Sequence, residues 1–295
     1  MDNNVQERFE EPNIIVPAEG RWVVYGTPGI DMIDYSAKTE RIHVQLAEMD
    51  GPSYTTVGGE SVNMLYGVEG VIGGSGPDRL IGNSENNIFR GGPGGDGIDG
   101  GGGWDFADYS EKSGRVEAVL EEAGHTIVKV RDKTEDALLG IHNIITGSGC
   151  DLLVGDSRAN WFFGNAGNDV LMGKGGPDIL NGGTGGDIFR YAAVSDSTLD
   201  SFDFIADFSA EQGDEIDLSA LDANSREDGK QDLVVSPQNC AASGSVWYSA
   251  RREDPSDDMA VEIFADVDGD AQADFKIFLF TPDSSVDLSS ILILT

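Results

Sequence analysis

From residue 73 to 108, and again from 146 to 190, the chain keeps a nine-residue beat. An apolar residue falls at the eighth place of each block: Leu80, Phe89, Ile98, Ala107, Leu153, Phe162, Leu171, Leu180 and Phe189. An acid or amide falls at the sixth: Asp78, Asn87, Asp96, Asp105, Asp151, Asn160, Asp169, Asp178 and Asp187. Three residues of the form x-apolar-x make a short strand, with its middle side chain on one face and its neighbours on the other. Glycines at places one, two and four allow positive φ and a tight path. Each block therefore predicts one turn and one strand. Two blocks close a coil, and coils repeat every ~18 residues with like strands ~4.8 Å apart. The eighth-place side chains fill a thin interior. A flexible glycine linker would not restrict both the sixth and eighth places.

A longer duplication overlies the short one. Residues 26–48 align with 100–122, and 65–87 with 138–160, so the offset passes from 74 to 73. Each copy is a glycine turn, an insert and a run of nonapeptides. The inserts carry alternating stretches, "RIHVQLAE" and "RVEAVLEE", that read as strands. Beyond residue 190 glycine thins out and short β-like stretches follow: "SFDFIADF", "DLVVS", "SVWYSA", "AVEIFADV", "DFKIFLF" and "SSILIL". The expected fold is all-β: a parallel β-roll, or β-solenoid, in two duplicated units with a mostly β C-terminal cap. The divisions are 1–25, 26–99, 100–190 and 191–295. Places seven and nine of the second run are also apolar, at Leu152, Val154, Trp161, Phe163, Val170, Met172, Ile179 and Ile188. So much outward apolar surface predicts that the C-terminal region or an insert packs over it.

Charge changes the picture. The chain has 53 acids against 19 bases, a net charge of -34. That excess repels nucleic acid and anionic membranes and opposes compaction. Such a chain is disordered or needs cations, and its 13 Phe, 7 Tyr and 4 Trp argue against disorder. No stretch approaches the ~18 apolar residues of a membrane span. The opening "MDNNVQERFEEP" is polar and has no signal-peptide core. Cys150 and Cys240 are too few for a disulfide framework and read as free thiols.

The beat places the acids. Stacking sets Asp151 near Asp169, Asp169 near Asp187, and Asp78 near Asp96. Facing carboxylates repel strongly without a cation. Glycine turns leave their carbonyls uncovered, so the predicted site is an all-oxygen cage. Its residues are Asp78, Asp96, Asp105, Asp151, Asp169, Asp178 and Asp187, with the turn glycines Gly73, Gly91, Gly164, Gly173 and Gly182. Such a cage suits calcium (Ca2+); magnesium demands a stricter octahedron and keeps its waters.

The blocks "GGPGGDGID", "GNAGNDVLM", "GKGGPDILN" and "GGTGGDIFR" resemble the RTX calcium-binding nonapeptide. That resemblance implies a parallel β-roll with several calcium ions between successive turns. Residues 182–224 resemble the C-terminal region of serralysin-type metalloproteases, where the roll passes into a cap. "SVDLSSILILT" (285–295) resembles the uncleaved C-terminal signal read by type I secretion systems, whose exporter is an ABC transporter. The resemblance implies a secreted, extracellular bacterial protein that leaves the cytoplasm unfolded.

Some blocks depart from the pattern. "GNSENN" and "GDSRAN" lack two glycines and end in Asn87 and Asn160, so their sites are expected to be weak or purely structural. Asp31, in the isolated turn "GTPGID", is expected to have no partner 18 residues away. Asp266, Asp268, Asp270 and Asp274 stand at acidic-loop spacing, but without the glycine and glutamate positions of an EF-hand loop, and read as a solvated acidic turn. Serralysins carry a zinc protease domain, and a zinc protease needs His-Glu-x-x-His on a helix. His43, His125 and His142 have no ligand spacing and are expected at the surface. No serine or cysteine nucleophile has a plausible base, and the repeat explains the paired acids better than a glycosidase would. The leading reading is a non-catalytic calcium-binding protein. The competing reading is an adhesion or extracellular-polysaccharide-binding module, or an accessory module of a polysaccharide-modifying or proteolytic enzyme.

Overall fold

The computed structural model describes residues 12–18, 20–48, 51–123, 125–223, 225, 230–252, 258–282 and 287–294. The opening residues 1–11, and residues 283–286 and 295 of the signal-like tail, lie outside the described residues. Residues 1–112 with 116–146 form one compact unit, and 113–115 with 147–295 a second.

In the first unit one sheet is wholly parallel. It runs Asn13–Ile15, Asp31–Asp34, Gly70–Ile72, Ile88–Arg90, Phe106–Asp108, Asn143–Ile145. Its registers step by the expected coil: Phe89 lies opposite Ala107. The other sheet is mixed, and the inserts explain why. Ile42–Gln45, Ser53–Val57 and Glu60–Tyr66 form an antiparallel meander. Its first strand lies parallel to Arg79–Ile81 and its last to Trp22–Tyr25. The second insert repeats the device with Val116–Val119, Thr126–Val130 and Lys133–Leu139, the last parallel to Gly97–Asp99. Even the register shift recurs, at Thr55/Thr56 and at Val128/Lys129. Each insert replaces glycine turns with backbone ladders, which need no metal.

The second unit stacks Leu152–Val154, Val170–Met172, Ile188–Arg190, Glu215–Asp217 and Leu292–Ile293 in one parallel sheet. Its other sheet runs Trp161–Phe163, Ile179–Asn181, Asp203–Ile205 and Phe275–Thr281 in parallel, then continues antiparallel through Met259–Ala265 and Ser245–Arg251. The C-terminal strands thus extend the edge of the sheet. Val154 is buried, while Leu152, Trp161, Phe163, Val170, Met172, Ile179 and Ile188 stay half-buried. Aromatic neighbours on the added strands shield one another, as where Phe278 and Phe280 meet edge-on at 5.4 Å. "SSILIL" opens with a helical turn, Leu288–Ile291, before its strand.

The core is the eighth-place column. Leu80, Phe89, Ala107, Leu153, Phe162, Leu171, Leu180 and Phe189 are 0% exposed and Ile98 is 2%. Three tyrosines sit at the ends of glycine runs or turns, Tyr35, Tyr109 and Tyr191, and all are buried. Tyr35 donates to Asn63 Oδ1 and Tyr109 to Asp136 Oδ2, each at 2.9 Å.

Candidate metal centre

Every sixth-place aspartate of the expected set is buried, at 3% exposure or less, and the five named glycines are buried with them. The carboxylates form ladders between coils. In five of them Oδ1 accepts the backbone N–H of the sixth place one coil earlier: Asp78 N–H to Asp96 at 2.8 Å, Asn87 to Asp105 at 2.8 Å, Asp151 to Asp169 at 2.7 Å, Asn160 to Asp178 at 2.7 Å and Asp169 to Asp187 at 2.8 Å. Stacking at the expected period therefore brings together the residues that the sequence paired.

The second oxygen of each acid has a different setting. Oδ2 of Asp96, Asp105, Asp169 and Asp187 is buried and accepts no hydrogen bond. A Cβ added to Gly91, Gly164, Gly173 or Gly182 would overlap the Oδ2 of its own block's aspartate, and one on Gly73 would lie 2.6 Å from Asp78 Oδ2. The leading glycine of a block is therefore required for space. It is not among the glycines of positive φ, so space is what this place requires. Positive φ is used at places two and four of later blocks: Gly92 and Gly183 have φ of 91° and 93°, and Gly167 and Gly185 of 132° and 131°, whereas Gly74 and Gly76 of the opening block do not use it. Asn165 and Lys174 take place two at 62° and 65°, so this place accepts side chains at some cost. Opposite Gly92, Gly167 and Gly185 stand the carbonyls of Gly74, Gly149 and Gly167, one coil earlier.

Electrostatics follow from burial. Loss of hydration pushes Asp96 and Asp105 up to about 7. Asp169 also rises to about 7, by burial first and then by the charges of Asp151 and Asp187. Asp178 is raised by burial and then by the charges of Asp156 and Asp196, and Asp203 by burial and then by the charge of Asp178. Buried acids that are short of donors, beside a cradle empty of side chains, fit a hard cation with oxygen ligands.

Asp78 differs. Oδ1 accepts Ile42 N–H and Oδ2 accepts Gly74 N–H, both at 2.7 Å, so both oxygens are occupied. Asp31 is not isolated as expected. Asn13 lies opposite it in the parallel sheet, 18 residues earlier, and its Nδ2 donates to Asp31 Oδ1 at 2.6 Å. Asp266 spends its carboxylate on four N–H groups, those of Gly244, Asp268, Gly269 and Ala271. Its neighbours Asp268 and Asp274 bring oxygens within 4.8 Å. His43 and His125 are exposed and His142 half-buried.

The ladders contain acids that the glycine pattern missed. Asp96 N–H donates to Asp136 Oδ1, Asp178 N–H to Asp203 Oδ1 and Asp187 N–H to Asp214 Oδ1, each at 2.9 Å. Asp31 N–H donates to Glu69 Oε2 at 3.0 Å. The available signal was an acid two residues before a buried apolar residue, as in Asp136-Ala137-Leu138, Asp203-Phe204-Ile205 and Asp214-Glu215-Ile216. At Asp136 and Asp203 that pattern appears without glycines, and at Asp214 with Gly213 alone before it.

A roll of stacked nonapeptide turns carrying buried acids defines a calcium-binding RTX protein. The model of the RTX calcium-binding nonapeptide repeat matches residues 72–107, and repeats of this type bind calcium ions. The model of the peptidase M10 serralysin C terminal matches residues 99–288, and the chain belongs to that family. Proteins with these elements are typically secreted. Among the described residues no helix is long and apolar enough to cross a membrane. No curated protein matches the chain. Among solved structures, the AlgE6R3 subunit of the Azotobacter vinelandii mannuronan C5-epimerase is 26% identical, over 51% of this chain and 71% of that one, with a TM-score of 0.29.

Proposed function

We propose that this is a non-catalytic secreted protein whose rolls fold on binding calcium after type I export. The observation that carries the reading is the set of buried aspartate oxygens without donors beneath side-chain-free glycines. Asp96, Asp105, Asp151, Asp169, Asp178 and Asp187 supply the carboxylates and the turn carbonyls the remaining oxygens. Asp78 contributes least, because backbone donors occupy it. Sites of ~0.1 mM affinity, as in extracellular modules, each gain ~1.4 kcal/mol in ~1 mM calcium. About five such sites give ~7 kcal/mol, comparable with the ~5–15 kcal/mol stability of whole domains. At submicromolar cytosolic calcium they give almost nothing.

The tail supports an order of events. Leu292–Ile293 pairs with Glu215–Asp217, Leu218 N–H donates to the Ile293 carbonyl at 2.9 Å, and Ile291 is 2% exposed. A tail held in a sheet is closed to a transporter, so recognition precedes folding. Deletion of residues 281–295 is expected to abolish export through a type I system, and normal export would refute the signal. Far-UV circular dichroism is expected to gain β signal in millimolar calcium, reversibly with chelator. A spectrum already β-rich and unmoved by calcium would remove the switch.

A further inference from the structure

The chain leaves the first run of nonapeptides around a lysine. One coil on from the turn 91–96, a further glycine turn would occupy 109–114. The chain turns into the insert instead. The sixth place of the missing turn is filled by Asp136, from the strand Lys133–Leu139, whose Oδ1 accepts the Asp96 N–H. Lys112 stands where the fourth residue of that turn would be. Its Nζ donates to the Gly92 carbonyl at 2.9 Å and to Glu135 Oε1 at 2.6 Å, and its side chain is 12% exposed. The same positive charge acts on Asp96 and Asp136, against the burial that pushes both carboxyls up. Asp96 Oδ2 is buried there without a donor. In the first copy the corresponding residues are Lys38, Val62 and Asn63, so both anionic partners are particular to the second copy.

We propose that Lys112 is a resident cation: its ammonium takes, between the turn 91–96 and the strand Lys133–Leu139, the place that calcium takes between two glycine turns. The inference rests on the calcium reading above. The surrounding set is all oxygen: the Gly92 carbonyl and the Glu135 carboxylate in hydrogen-bond contact, the Glu111 carboxylate at 3.5 Å, and the charges of Asp96 and Asp136 beyond them; it is too acidic to be left without a cation. A tethered ammonium supplies that charge whatever the calcium concentration. The join between run and insert therefore stands before calcium arrives, and the set becomes a calcium site when the ammonium is removed.

The test uses the full chain with Lys112→Met and Lys112→Arg. Bound calcium is counted by equilibrium dialysis, and amide exchange is read at 96–99 and 133–139 in chelator and in millimolar calcium. Lys112→Met is expected to bind one calcium more than the parent. In chelator its exchange at these segments should rise at least tenfold, and calcium should restore it. Lys112→Arg should follow the parent in both readings. An unchanged count overturns the inference whatever the exchange shows, since an ordinary ion pair would leave no calcium site behind. A Met variant that calcium does not restore also overturns it. Failure of the underlying calcium reading appears separately, as a parent protein that binds no calcium at all.

Discussion

The two units use one repeat in two ways. In the first, acids are repeatedly met by groups that are always present. Asp31 has the amide of Asn13, Asp78 has two backbone donors, Asn87 is neutral and Lys112 lies at the exit. Two antiparallel meanders add ladders that no cation sets. In the second, Asp151, Asp169 and Asp187 succeed one another directly, and Asp178 runs onto Asp203. On the function proposed above, the same nonapeptide would make a largely self-sufficient scaffold where it alternates with inserts, and a cation-dependent one where acids stack without interruption.

The largest expected effect comes from breaking the uninterrupted stack. Asp169 lies between Asp151 and Asp187, so Asp169→Ala should weaken two sites and the link between coils. It is expected to raise the calcium midpoint of folding severalfold, and more than Asp178→Ala does. Asp78→Ala should behave differently in kind. It leaves the Ile42 and Gly74 N–H groups without their acceptor, at ~1–3 kcal/mol each, whether calcium is present or not. Calcium titrations of the three variants by circular dichroism decide this. A larger calcium shift for Asp78→Ala would reverse the comparison.

A second expectation concerns space. An alanine Cβ at Gly182 would overlap Asp187 Oδ2, whereas at Gly97 its nearest neighbour is 4.0 Å away. Gly182→Ala should cost several kcal/mol of calcium-loaded stability, by misplacing a buried carboxylate. Gly97→Ala should be neutral or gain ~0.4–1 kcal/mol. Thermal melts in calcium test the pair, and equal losses would mean that the first-place glycine is not a cradle.

A smaller effect is the response to pH without metal. Asp96, Asp105 and Asp169 titrate near 7 in the fold, raised chiefly by burial, against ~4 when unfolded. The folded state then holds more protons than the unfolded state between pH ~4 and ~7, so stability falls as pH rises through that window. Each group contributes at most ~1.4 kcal/mol per pH unit. Chelated protein is expected to be more stable to urea at pH 5 than at pH 8. Rising stability from pH 5 to 8 in chelator would contradict the burial of these acids.

Much of this was legible in the sequence. The apolar eighth place gave the core column, and an 18-residue coil gave the pairing of Asp151, Asp169 and Asp187, because a strict period leaves one way to stack. The first strand of each insert was visible by alternation, but not the two that complete each meander. The capping acids Asp136, Asp203 and Asp214 were not, because they lack the glycines that mark the repeat and reach the ladder from strands of other origin. The Asn13–Asp31 pair was hidden for the same reason. For the first glycine, sequence reveals that a side chain is absent but not whether conformation or space excludes it, and here it is space. The C-terminal strands offered both an edge to extend and a face to cover. Apolar patterning alone did not show the edge pairing of Phe275–Thr281 with Asp203–Ile205.

Amide hydrogen exchange of the intact chain, in chelator and in millimolar calcium, tests the central claim most directly. In calcium both units should be protected along their eighth-place strands. In chelator, protection should be lost at Val170–Met172, Ile179–Asn181 and Ile188–Arg190, but kept at Ser53–Val57 and Thr126–Val130 of the insert meanders. Protection of the second-unit strands that is equal with and without calcium would contradict the account, and so would loss confined to the first unit.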